Sequence, residues 1–75
     1  LNTGRIEKSM KNTIRVERAI KDITQATLAD AVQVSRQTIN AIEANKYVPS
    51  TVLALKIARY FEKPLESIFE LEAED

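Results

Sequence analysis

Residues 24–43, TQATLADAVQVSRQTINAIE, decide the fold. Leu28, Ala29 and Val32 recur at helical spacing, and so do Ile39 and Ile42. A hydroxyl residue precedes each set, Thr24 the first and Ser35 the second. A side-chain oxygen there accepts an N–H that the first helical turn leaves unpartnered, so both residues read as N-caps. Gln33 and Val34 lie between the two sets as a tight turn. The pattern predicts two short helices joined by roughly three or four residues, the arrangement of a helix-turn-helix.

The reading extends outward in both directions. Past Ala44, Asn45 suits the left-handed conformation that commonly closes a helix. Tyr47, Val48 and Pro49 make a loop, and Ser50 caps a helix with an apolar stripe of Leu53, Ala54, Ile57, Ala58 and Phe61. Pro64, with its preset φ, opens a last short helix whose Leu65, Ile68 and Phe69 face inward. On the N-terminal side, Asn12 or Thr13 caps a helix ending at Asp22; its buried residues are expected to be Val16, Ile20 and Ile23, with Ala19 beside them. The alternation Phe69-Glu70-Leu71-Glu72 permits a short strand. The expected fold is therefore all-α, five helices too short to persist singly in water and held by one shared core. Residues 1–11 are expected to be a flexible leader; residues 1–9 lack periodicity and could be a remnant foreign to the natural chain, which would then start at Met10. Residues 12–69 form the domain, and residues 70–75 form an acidic tail that could serve dimerisation.

Composition narrows the chemistry. Cysteine and histidine are absent and the single glycine is Gly4, so thiol nucleophiles, Cys/His zinc sites, imidazole acid–base catalysis and glycine-rich phosphate loops are all excluded. With no nucleophile–base set and no cofactor motif, an enzyme is not expected, nor is a cofactor or a small-molecule site. No apolar run is long enough to span a membrane and no signal-peptide core is visible, which leads us to expect a cytoplasmic protein. The net charge of zero conceals an asymmetry. Residues 62–75 hold Glu62, Glu66, Glu70, Glu72, Glu74 and Asp75 against Lys63 alone, leaving ten bases and five acids in residues 1–61. A basic body fits a polyanion, although a solvated surface with an acidic end has the same composition.

At about 100° per residue, Ile39 and Ile42 mark the buried side of the helix after Ser35. The opposite side carries Arg36, Gln37, Asn40, Ala41 and Ala44, with Thr38 at its margin, and no acid. Arginine can take O6 and N7 of guanine, glutamine or asparagine can take N6 and N7 of adenine, and alanine can touch a thymine methyl. The same residues could equally form an ordinary polar face.

Residues 12–69 resemble the lambda-repressor/Cro-like, Xre-type helix-turn-helix domains. The resemblance is carried by Thr24-Gln25, Leu28-Ala29, Val34 through Glu43, Asn45-Lys46, Pro49-Ser50 and Ala54-Leu55-Lys56-Ile57-Ala58. It implies a DNA-binding regulator of transcription, with the helix over about residues 35–44 in the major groove. It places Arg36, Gln37 and Ala41, with Thr38 and Asn40 nearby, where such domains read bases. Thr24 and Gln25 fall where the preceding helix meets a phosphate, and Asn45, Lys46 and Tyr47 fall in the loop over the DNA backbone. It also implies an arginine on the first helix, here Arg18, paired with Glu43. That pair has independent support, because Glu43 lies about 40° from Ile39 and a carboxylate on the buried side needs a cation. The family favours glycine at the positions of Asp22, Gln33, Asn45 and Glu62, where helices end with positive φ. Glu17 stands where a leucine is usual, so Val16 and Ile20 are expected to supply that packing. The expected partner is double-stranded DNA, bound by a homodimer joined through Ile68, Phe69 and Leu71. An antitoxin-like, partner-binding module on the same scaffold is the alternative.

Overall fold

The structure, a computed structural model, describes residues 10–72. The elements run β1 (Lys11–Asn12), α1 (Ile14–Lys21), α2 (Gln25–Val32), α3 (Arg36–Glu43), α4 (Thr51–Phe61), α5 (Leu65–Ile68) and β2 (Phe69–Glu70). The five helices are those expected from the sequence. Residues 1–9, the bulk of the expected leader, and residues 73–75 of the tail lie outside the described residues. Among the described residues no helix is long and apolar enough to cross a membrane.

Local chemistry fixes the helix starts. Thr24, Ser35 and Ser50 each accept an N–H three residues on, from Thr27 at 3.0 Å, Thr38 at 3.1 Å and Leu53 at 3.1 Å. The ends share one device. Asp22, Gln33, Asn45 and Glu62 all have positive φ, between 58° and 66°. The next residue's N–H then reaches back into the helix, as Val34 does to the Ala29 carbonyl at 2.9 Å. All four family glycine positions thus keep the left-handed backbone without glycine. Asparagine and aspartate tolerate it; a β-carbon at Gln33 and Glu62 strains each by about 1 kcal/mol.

The core gathers Leu28, Ala29 and Val32 from α2, Ile39 and Ile42 from α3, and Leu53, Ala54, Ile57, Ala58 and Phe61 from α4. Helix α1 departs from expectation. It buries Ile14 and Glu17, whereas Val16 is 57% and Ile20 69% exposed. Of the expected stripe only Ile23 packs against the core, while Ala19 is exposed with Val16 and Ile20, since the buried face of α1 is set by partners far along the chain. Glu17 remains inside because Lys63 Nζ donates to its Oε2 at 2.8 Å.

A second departure concerns the ends of the chain. Lys11 and Asn12 pair antiparallel with Glu70 and Phe69. Lys11, assigned to the leader from sequence, is therefore tied into the fold, and a two-stranded ribbon is added to the five helices. This pairing turns the end of α5 inward. Ile68 is 1% and Phe69 7% exposed, so neither can face a second chain as expected; of the three proposed dimer residues only Leu71 lies on the surface.

Candidate nucleic-acid interface

The site stands on α3, whose two ends are fixed by different means. Ser35 caps its start, and the Thr38 hydroxyl lies 3.0 Å from the Ser35 hydroxyl, which holds the half-buried Thr38 side chain against the cap. At the far end, Asn12 Nδ2 donates to the Ile42 carbonyl at 2.8 Å and to Asn45 Oδ1 at 3.2 Å. Its Oδ1 meanwhile accepts the Ile14 N–H, so one side chain joins the ribbon, the start of α1 and the end of α3.

Glu43 anchors the buried side. Its carboxylate is 1% exposed and takes two donors from Arg18, Nε at 2.6 Å and Nη2 at 3.1 Å. Arg18 Nη1 also donates to the Ile23 carbonyl, so this guanidinium is committed to the fold. Burial pushes Glu43 upward; hydrogen bonds from Arg18 and Gln25 and the charges of Arg18 and Arg15 outweigh it and hold the carboxyl below its ordinary value. The same hydrogen bond raises Arg18 above the usual guanidinium value against the effect of its own burial.

Gln25 links this anchor to the exposed edge. Its Nε2 donates to Glu43 Oε1 at 3.0 Å and to Asn40 Oδ1 at 3.2 Å, and its Oε1 accepts from Arg36 Nη1 at 3.2 Å. Both amide hydrogens are therefore engaged inside the protein. What Gln25 can still offer a phosphate is its backbone N–H, at the open end of α2 where anions are favoured. Thr24 is likewise occupied as a cap.

The residues expected to act on DNA fall into two groups. Arg36, Asn40 and Gln25 form the connected set just described. Gln37, Thr38 and Ala41 line a shallow hollow with Lys46 and Tyr47 of the following loop. Gln37 and Lys46 are exposed. Asn45, with φ of 61°, starts that loop. Two residues escaped the sequence reading. Asn12 was considered only as a helix cap, and nothing local predicts its reach to α3. Arg15 was readable: three residues before Arg18 it shares a helix face, and its Nε lies 3.7 Å from Glu43 Oε1. Among the described residues no group of three or more His, Cys, Asp or Glu could hold a metal.

The chain is similar to known proteins over nearly its whole described length. Residues 14–68 match the helix-turn-helix family model. An uncharacterized HTH-type transcriptional regulator of Methanocaldococcus jannaschii is 48% identical over 66 residues, covering 88% of this chain and all of the relative. One of Bacillus subtilis is 46% identical over the same shares. A solved structure from Bacteroides fragilis, described as a candidate DNA-binding protein, superposes with a TM-score of 0.73 at 30% identity, over 81% of this chain and 98% of that one.

Proposed function

The chain belongs to the helix-turn-helix family, and on that premise we propose that it is a sequence-specific DNA-binding regulator of transcription. The observation that carries this reading is the exposed edge of α3. It offers hydrogen-bonding side chains, bears no acid, and rides on a helix braced at both ends. Gln37 is exposed on it, with a donor and an acceptor for an adenine edge. Arg36 is held beside it by Gln25. Asn40 has its orientation set by Gln25 too, and Ala41 and Thr38 are small enough to let the helix lie close to the bases. Gln25, through its backbone N–H, and Asn45, Lys46 and Tyr47 meet the phosphates on either side, with Thr24 holding the start of α2. Arg18 and Glu43 are structural in this scheme.

A helix of eight residues reads only a half-site. We therefore take the binding species to be a two-fold dimer on half-sites about 34–36 Å apart. The exposed apolar side chains of Val48 and Leu71, which line one hollow with the half-buried Met10, support association with another chain. The family names of the relatives support regulation of transcription.

Selection from random duplexes tests the reading. A paired half-site motif is expected, with affinity that falls steeply with salt. Arg36→Ala or Gln37→Ala should relax preference at one base pair by about 1–3 kcal/mol. Lys46→Ala should weaken all sequences alike and flatten the salt slope by about one unit. Recovery of no motif, with binding instead to a protein through Val48 and Leu71, would favour the partner-binding module.

A further inference from the structure

We propose that Arg15 is a phosphate-contacting residue of the DNA interface, an assignment that rests on the DNA-binding reading above. The corner between α1, α2 and α3 contains two arginines and one carboxylate. Arg18 already satisfies Glu43 with two hydrogen bonds, and Gln25 adds a third. Arg15 approaches the same carboxylate only to 3.7 Å, and its side chain stays 74% exposed. It is a surplus cation, with the donors of its guanidinium head facing water.

Stability does not explain it. Arg15 lies in the first turn of α1, where a cation works against the helix dipole. A long exposed pair contributes little. Its position does suit an anion. The Glu43 oxygen it approaches is the one that takes a hydrogen from Gln25, at the start of α2, where a phosphate is expected. The Gln25 side chain has no hydrogen left for that phosphate. Arg15 supplies the missing donor. Glu43 keeps its guanidinium at this corner without burying it, and the phosphate then bridges Arg15 and the backbone N–H groups of α2.

The test uses the full chain and fluorescein-labelled duplexes, one of mixed sequence and one recovered by selection, titrated across a range of sodium chloride concentrations. Arg15→Gln should lower the slope of log affinity against log salt by about 0.9, the value for one phosphate contact, equally on both duplexes. Arg15→Lys should restore the slope. Arg59→Gln, the same loss of charge at an exposed residue of the last turn of α4, should leave it unchanged, and the melting temperature of Arg15→Gln should match the parent. If the parent binds with a steep slope and Arg15→Gln keeps it, the Arg15 assignment is overturned while the DNA reading stands. If Arg15→Lys fails to restore the slope, or Arg59→Gln loses as much, the assignment is also overturned. If the parent shows no salt-sensitive binding, both fall together.

Discussion

The helix-turn-helix unit and the cradle formed by the ribbon and α1 are held by contacts of different reach. Around α2 and α3, the polar anchors span 3 residues at the Thr24 cap, 11 from Arg36 to Gln25, 15 from Gln25 to Asn40 and 18 from Gln25 to Glu43. In the cradle they span 30 and 33 from Asn12 to Ile42 and Asn45, 46 from Lys63 to Glu17, and 54 from Thr13 to Ser67. The exposed edge of α3 is thus shaped mostly by its own neighbourhood, while the cradle beneath it forms only once Asn12, Thr13 and Glu17 have met residues far along the chain. Arg18 and Glu43, 25 residues apart, join the two.

The junction should show the largest effect. Arg18→Ala leaves the buried Glu43 with only the Gln25 hydrogen bond and the more distant Arg15, at a cost of up to about 3–5 kcal/mol, and about 4–8 °C of melting temperature is lost per kcal/mol in a domain this small. A melt unchanged from the parent would mean that the two regions are not joined here. The pair also gives a pH signature. Glu43 is depressed in the folded state, so its contribution is full above the ordinary glutamate value of about 4.3 and is lost as pH falls through the lower folded value. Acid unfolding of the parent should be steeper than that of Arg18→Ala, which has little of this contribution left to lose.

Next comes the register of α1. Ile14→Ala should cost about 2–5 kcal/mol, and Val16→Ala no more than about 0.5, measured by urea unfolding. The reverse order would restore the stripe first read from the sequence. The smallest effect belongs to the turn inside the reading unit. Gln33→Gly relieves a left-handed β-carbon and should stabilise by about 1 kcal/mol; a clear fall in melting temperature would mean that this turn does not need positive φ.

These differences of reach explain what could be read in advance. Thr24, Ser35 and Ser50 were legible as caps because a cap acts within three residues. Ile39 and Ile42 were legible because one face of a short helix must be buried. Val16 and Ile20 misled because an apolar stripe says which residues share a face, not which face meets the core. That choice was made by Lys63 reaching Glu17 and by strand pairing that draws Ile68 and Phe69 inside. In the site, the need of Glu43 for a cation followed from burial of a charge and the family resemblance pointed to Arg18, whereas the double engagement of the Gln25 amide depends on rotamers that no spacing encodes.

In the proposed mode of binding, DNA meets the exposed edge of α3 and leaves the ribbon aside. Backbone amide chemical shifts, followed while a selected duplex is titrated into the labelled protein, test it most directly. The largest changes are expected at Arg36, Gln37, Asn40 and Ala41, with others at Arg15, Gln25 and Asn45–Tyr47, and little change at Lys11, Glu70 and Leu71. Changes concentrated on the ribbon and Leu71, with α3 unmoved, would contradict it.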